Sequence, residues 1–362
     1  MSTAWRDAEF LAVVMALWEA RGGDVGMGEL VRVGGGNADS VWGMLDELAR
    51  RGCRVERSPG GVSLVTAGVG IWREVLEESA RRAAGGGGGR GRRVGRHAAV
   101  FAETGSTNDA AWGYAEAADA DGMVVLANHQ TAGRGRLGRA WTAKPGQSVL
   151  MSVVLHGIAA EALDRLTLLA GLATAVGVER TVSEAGGAIG DGGHVGIRWP
   201  NDLVLDGRGG ERGSDGRVGR KLAGILVETR KLKTARGVID AVVVGIGINV
   251  AQGVADFPAE LKGRGISIFE AAGILVDRLR VVEAVAESLG EYLALQEACG
   301  EDAWLGQWKE RCAMLGRRLT VRIGREEITG LVLDVAPLQG LVLRDERGAT
   351  HFASARTSSV VA

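Results

Sequence analysis

Three observations predict an α+β fold in three parts. Strand-like and helix-like runs alternate from Ala98 onward, which calls for a mixed β-sheet layered with helices. The first 79 residues read as helices followed by a hairpin, and the chain after Leu315 holds only short strands. A length of 362 residues, at about 150 per domain, accommodates such an arrangement. The expected boundaries are 1–79 for the first module, 80–97 for a linker, 98–314 for the central domain and 315–362 for a compact β-barrel.

In the first module, Phe10, Leu11, Val14, Leu17 and Trp18 fall at helical spacing within Arg6 to Arg21. A short segment near Glu29 to Val33 and a Gly34 to Gly36 turn follow. A second periodic run then puts Val41, Met44, Leu45 and Leu48 on one face. Val55 to Val65 reads as two short strands around Pro59, Gly60 and Gly61. Helices and a hairpin in this order make a winged helix-turn-helix, a shape that reads DNA grooves. Ala80 to His97 carries Gly85 to Gly89 and six arginines without an acid, and with so little apolar surface to bury it reads as a flexible basic tether.

In the central domain the predicted strands are Ala98 to Glu103, Met123 to Gln130, Ser148 to Leu155, Gly196 to Trp199, Lys221 to Thr229 and Ala241 to Val250. Predicted helices cover Asn108 to Ala118, Ala160 to Val182 and Ile274 to Ala298. Two patches rich in glycine and charge, Ala185 to Val195 and Gly207 to Gly219, read as surface excursions. The closing strands are Leu319 to Ile323, Glu327 to Val335, Gly340 to Arg344 and Ala349 to Ala353.

Composition narrows the function classes. An apolar content of 46% supports buried cores and excludes whole-chain disorder. Lys plus Arg number 43 against 44 Asp plus Glu, so the chain has no global attraction to nucleic acid or anionic membrane. Cys53, Cys299 and Cys312 form neither a disulfide framework nor a zinc pattern, and the apolar stretch Phe10 to Trp18 lacks the basic start of a signal peptide. No apolar run reaches the ~20 residues of a membrane span. A soluble cytoplasmic protein is expected.

The segment Gly133-Arg134-Gly135-Arg136-Leu137-Gly138-Arg139-Ala140-Trp141 satisfies G-x-G-x-x-G on paper. A dinucleotide fold needs a helix directly after it, whereas here Lys144-Pro145-Gly146 and a strand follow. What remains is a loop whose glycines allow close backbone approach while Arg134, Arg136 and Arg139 offer cationic forks, which suits a polyphosphate. Arg198-Trp199-Pro200-Asn201-Asp202 ends a strand in a turn with two polar side chains. Lys221, one of only six lysines, opens the otherwise apolar strand Lys221 to Glu228. Gly245 and Gly247 interrupt the strand that ends at Asn249, where glycine marks close approach by a ligand or backbone. Ser106-Thr107-Asn108 follows the first central strand, and Ser106 or Thr107 has the alternative of simply capping the next helix.

Taken in order, these segments resemble the biotin protein ligase family, of the subgroup with an N-terminal winged helix and a C-terminal SH3-like barrel. The resemblance implies a class II synthetase-like mixed β-sheet and a two-step acyl transfer. Biotin is activated by ATP to biotinyl-5′-AMP and passed to a lysine of a biotin carboxyl carrier protein, a subunit of acetyl-CoA carboxylase. By resemblance, Arg134, Arg136 and Arg139 hold phosphates and carboxylate, Lys221 meets the α-phosphate, and Asp202 orients Lys221 or binds Mg²⁺. Ser106, Thr107, Gln130 and Gly224 match positions around the biotin ring and tail; Trp141 walls the cavity, and Asn249 meets the nucleotide. Asn108, Gly133, Gly135, Asn201 and Gly245 complete the expected binding set. A lipoate ligase is the neighbouring alternative.

Departures from the family pattern are Arg198 in place of its usual Lys, the excursion before Lys221, and Ala355-Arg356 where a Gly-Glu step is common. The five histidines fit no catalytic arrangement. A DNA-binding repressor is the rival reading, and a homodimer is left open. Against DNA binding, residues 1–78 carry eight Arg and no Lys beside twelve acids. The helix that would enter the groove also begins Asn37-Ala38-Asp39-Ser40, without a side chain for guanine.

Overall fold

The helical periodicity of the first module becomes α1 (Asp7–Glu19), α2 (Met27–Val33) and α3 (Ala38–Arg50) in a computed structural model. It describes residues 7–85, 93–158, 163–189, 194–205, 218–234, 237–336, 340–354 and 358–360. Asn37 caps α3 by accepting hydrogen bonds from the Asp39 and Ser40 amides, and Val41, Met44, Leu45 and Leu48 are buried as their spacing requires. The hairpin is β1 (Arg54–Ser58) with β2 (Gly61–Thr66). A further helix, α4 (Trp72–Gly85), was not foreseen and runs into the first residues of the expected tether. Its Glu78 accepts from Arg81 and Arg82, one turn on, so charge that looked like linker composition holds a helix end. Residues 86–92 of the tether, 190–193 and 206–217 of the two excursions, and Ala355-Arg356 lie outside the described residues.

The central sheet has the order β3-β4-β5-β9-β8-β7-β6. Its strands are β3 (Ala98–Phe101), β4 (Val124–Ala127), β5 (Ser148–His156), β6 (Gly196–Arg198), β7 (Asp202–Leu205), β8 (Arg220–Thr234) and β9 (Gly237–Asn249). Among the described residues only β3 and β4 run parallel and the other neighbouring pairs are antiparallel, so the sheet is mixed. Strand alternation assigns the faces. Val242 and Val244 join one cluster with Leu168, Leu169 and Leu172 of α6 (Leu163–Glu184) and Val282 and Val285 of α8 (Arg278–Cys299). Ala241 and Val243 pack instead with Ala111 and Trp112 of α5 (Thr107–Trp112). The expected helix from Asn108 to Ala118 is thus shorter, because Gly113 ends it and Tyr114 and Ala117 continue only in turns.

The edge strand β6 is covered by residues that follow α9 (Asp302–Glu310), through Ile197 to Arg311 and Ala313 to Ile197 backbone bonds. Beyond it, β10 (Arg318–Ile323), β11 (Glu326–Ala336), β12 (Gly340–Asp345), β13 (Thr350–Ala353) and β14 (Ser358–Val360) form an antiparallel sheet of order β13-β12-β11-β10-β14. Its two outermost strands are consecutive in the chain, and the Ser358 amide donates to the Ser354 carbonyl. Outer strands joined so closely require the sheet to curl. One continuous apolar cluster includes Leu17 and Trp72 of the first module, Val149 and Leu222 of the central sheet, and Leu319 and Val335 of the last.

Candidate active site

The alternation that buries Val243 against α5 puts Gly245 and Gly247 on the same face of β9, where two absent side chains leave a hollow. A Cβ on Gly247 would lie 2.6 Å from the Trp141 indole, and its cross-strand partner Gly224 is covered by the same ring. Trp141 therefore lines the cavity. Its ring lies over the glycine pair Gly224 and Gly247.

Lys221 reaches this face through a bulge. Leu203 pairs with Ala223 but Val204 pairs with Lys221, leaving Leu222 as the extra residue of β8. Regular alternation would send the side chains of residues 221 and 224 to opposite faces; the bulge brings the Lys221 Nζ to 3.1 Å from the position of a Cβ on Gly224. The Lys221 amide donates to the Arg264 carbonyl and the Ile266 amide to the Lys221 carbonyl, which fixes the bulge from the other side.

Asp202 stands behind the lysine. Its Oδ1 is 2.6 Å from Lys221 Nζ, and its Oδ2 accepts from Arg198 at 2.9 Å. Burial would raise the Asp202 pKa, but Lys221 and Arg198 outweigh it and hold the carboxyl below its ordinary value. Arg198 thus has a defined partner, set by the hairpin of β6 and β7 in which it lies opposite Asp202. Asn201, in the intervening turn, donates to the Ile225 carbonyl at 3.0 Å and accepts from Arg136 at 3.1 Å. Arg136 and Lys221 line one cavity.

The end of the cavity at α5 carries the polar side chains Ser106, Thr107, Asn108 and Gln130, with Arg134 beside them. The Thr107 amide donates to Gln130 Oε1 at 2.7 Å, and the Ser152 hydroxyl lies 2.8 Å from Thr107 Oγ1 and 2.7 Å from Asn108 Oδ1. Ser106 occupies the N-cap position of α5 without making a cap hydrogen bond, so its buried hydroxyl is not accounted for by capping. Leu150, Met151 and Leu226 also line the cavity. Such a cavity fits a ligand with a neutral polar head, an apolar chain and an anionic tail.

Of the expected residues, Ser106, Thr107, Asn108, Gln130, Arg134, Gly135, Arg136, Trp141, Asn201, Lys221, Gly224 and Gly245 line the cavity. Four others sit differently. Arg139 lies exposed on the loop, and Gly133 pairs with Trp141 through the backbone. Asp202 supports Lys221 from outside the lining. Asn249 spends its amide on the Lys221 and Ile266 carbonyls, each at 3.2 Å, and accepts from Gln252. In this state it braces the bulge rather than facing the cavity. Arg134 lines the cavity but is held by the Asp109 carboxylate, with one arm at 2.7 Å, and lies 3.4 Å from Glu228. Both ends of the Asn108 amide are likewise engaged, by Ser152 and Glu228.

The sequence reading missed Ser152, Asp109 and Glu228. Ser152 had a signal, as a polar residue inside an apolar strand, and Glu228 another, as the acid that closes one; Asp109 had none. Among the described residues no group of three His, Cys, Asp or Glu side chains converges, and both Asp202 oxygens are taken by cations. These protein donors do not make a magnesium site at Asp202. Nor, among the described residues, is any helix long and apolar enough to cross a membrane.

Known proteins share this fold. The Biotin/lipoate A/B protein ligase family matches residues 100–249, the stretch that holds the cavity. A bifunctional ligase/repressor BirA of Bacillus subtilis is 32% identical over 257 residues, which span 68% of this chain and 66% of that protein. The aligned part is thus just under two thirds of its length. A biotin-(acetyl-CoA-carboxylase) ligase of Mycobacterium tuberculosis is 32% identical over 71% of this chain and 86% of its own. The biotin protein ligase of Aquifex aeolicus in complex with biotin and ATP superposes with a TM-score of 0.57 at 25% identity, over 73% of this chain and 98% of that one. The chain belongs to the biotin protein ligase family.

Proposed function

We propose that this chain joins biotin to a carrier protein in two steps. A biotin carboxylate oxygen attacks the α-phosphorus of ATP, the bond to the β-phosphate oxygen breaks, and pyrophosphate leaves. A lysine amine of the biotin carboxyl carrier protein of acetyl-CoA carboxylase then attacks the acyl carbon of biotinyl-5′-AMP. The carbon–oxygen bond to AMP breaks and the amine loses its proton. The observation that carries this reading is the two-ended cavity, with Ser106, Thr107 and Gln130 at one end and Lys221 and Arg136 at the other.

No protein nucleophile is required, so the residues act by position and charge. Carboxylate and phosphate repel on approach; Lys221, aimed by its bulge and steadied by Asp202, offsets the charge that grows on the phosphate. Arg136, held by Asn201, supplies a second cation. The loop from Gly133 to Trp141 roofs the cavity and keeps water from the mixed anhydride. The polar end with Ser106, Thr107 and Gln130 suits the ureido ring, whose N–H and carbonyl groups need both donors and acceptors.

Under the same reading the first module is a winged helix and the curled C-terminal sheet an SH3-like barrel. An ATP-dependent reaction and three unpaired cysteines, Cys53, Cys299 and Cys312, suit the cytoplasm. A repressor role is not favoured, because exposed Asp39 and Asp46 stand on α3, and its exposed Trp42 is covered by Arg57 at 4.4 Å. The test is exchange of pyrophosphate into ATP by the purified chain, with biotin and lipoate compared. Biotin-dependent exchange is expected; exchange with lipoate alone would assign the other branch of the family.

A further inference from the structure

The segment that carries the cavity loop leaves the sheet after β4 and returns at the start of β5, and one guanidinium touches both of its feet. Arg278, the first residue of α8, donates to Asn128 Oδ1 at 2.9 Å and to the Ser148 carbonyl at 3.3 Å. The Gly146 amide donates to the Asn128 carbonyl, so the two feet are also tied to each other. Burial lowers the Arg278 pKa, and among the described residues the guanidinium spends its hydrogen bonds on a carbonyl and an amide rather than a carboxylate. The partly buried guanidinium thus ties two separate parts of the chain together.

Behind the guanidinium stands Trp72, 4.8 Å away and 1% exposed, at the start of α4. Its indole donates to the Ala67 carbonyl at 3.1 Å, and the Ala67 amide donates to Asp277 at 2.6 Å. Asp277 is also the N-cap of α8, accepting from Leu279. The joint of the first module and the first turn of α8 are therefore interlocked directly beneath the loop. Arg278 does not line the cavity.

We propose that Arg278 is a positioning residue through which the N-terminal module shapes the ligand loop. Trp72 fixes the plane of the guanidinium, the guanidinium holds the feet of residues 128–148 together, and part of the entropy of ordering the loop is met before biotin arrives. The module thereby has a use in the ligase that needs no DNA. This builds on the ligand being biotin, as proposed above, but the loop's order is measurable without that assumption.

The experiment uses the full chain and two variants of different kind. Arg278→Lys keeps the charge but loses the planar fork that spans two acceptors, and Asn128→Ala removes one acceptor while leaving Arg278 in place. Limited trypsin digestion reads cleavage after Arg134, Arg136 and Arg139 without ligand, alongside the melting temperature, the biotin KM and the kcat of exchange. Both variants are expected to be cut faster in the loop and to show a biotin KM raised by about three- to tenfold, with kcat within about twofold and melting within a few degrees of the parent. Unchanged loop cleavage in both folded variants overturns the proposal, as does faster cleavage that only tracks a lowered melting temperature. Absence of exchange in the parent would fell the ligase reading and leave the digestion result standing.

Discussion

The Lys221 ammonium meets the Asp202 carboxylate at 2.6 Å only because Leu222 is an extra residue in β8. One displaced residue in the strand register turns a lysine that would face away from Gly224 into the cation at the head of the cavity.

Replacing that lysine tests its role most directly. Lys221→Ala is expected to lower biotin-dependent exchange by about 10²- to 10³-fold, the scale on which an aimed charge acts in a transition state. Its circular dichroism and melting should stay close to the parent's. A loss below about tenfold in a folded variant would remove Lys221 from the phosphate.

Asp202→Asn carries a pH signature. The native carboxyl sits below its ordinary value, so the folded state binds that proton less readily than the unfolded one. Its contribution is present above an unfolded pKa of about 3.9 and is lost as pH falls through the lower folded value. The variant leaves Lys221 and Arg198 without their shared anion. It is expected to be less stable by about 3 kcal/mol at pH 7, with the gap to the parent closing below about pH 4 in denaturant titrations. A gap independent of pH would mean that the loss comes from packing.

Asp109→Asn addresses the loop from its other flank. The Arg134 guanidinium beside Asp109 holds that carboxyl below the usual range, and both groups are substantially exposed. Exposed pairs contribute little, so the biotin KM should rise by only about two- to fivefold. That difference should fade as ionic strength is raised toward about 1 M. An effect that survives high salt would argue against an ion pair.

Gly247→Ala probes the indole wall. With its Cβ only 2.6 Å from the Trp141 ring, the variant must push the indole aside. We expect a stability loss of about 1–3 kcal/mol and a weaker biotin affinity by calorimetry. The double variant Gly247→Ala, Trp141→Phe should regain part of the stability because the smaller ring gives way. No recovery would place the strain elsewhere.

Local order was legible because it depends on neighbours in the chain. The alternation of Ala241 to Val250, the buried face of α3 and the turn at Pro59 to Gly61 follow from spacing and residue type, and the motifs from Ser106 to Asn249 named the family. Contacts between distant segments were not legible. That Asn249 braces the Lys221 carbonyl, that Asp109 rather than a ligand holds Arg134, and that Arg278 joins Trp72 to the feet of the loop depend on backbones brought together by burial. Helix α4 was hidden for a related reason: a basic composition reads as solvated chain until Glu78 and a docked face of Trp72, Val75 and Leu76 are seen to hold it. Periodicity reports which face of an element is apolar. Which partner that face meets, and where a strand slips by one residue, is settled by long-range packing that no local pattern encodes.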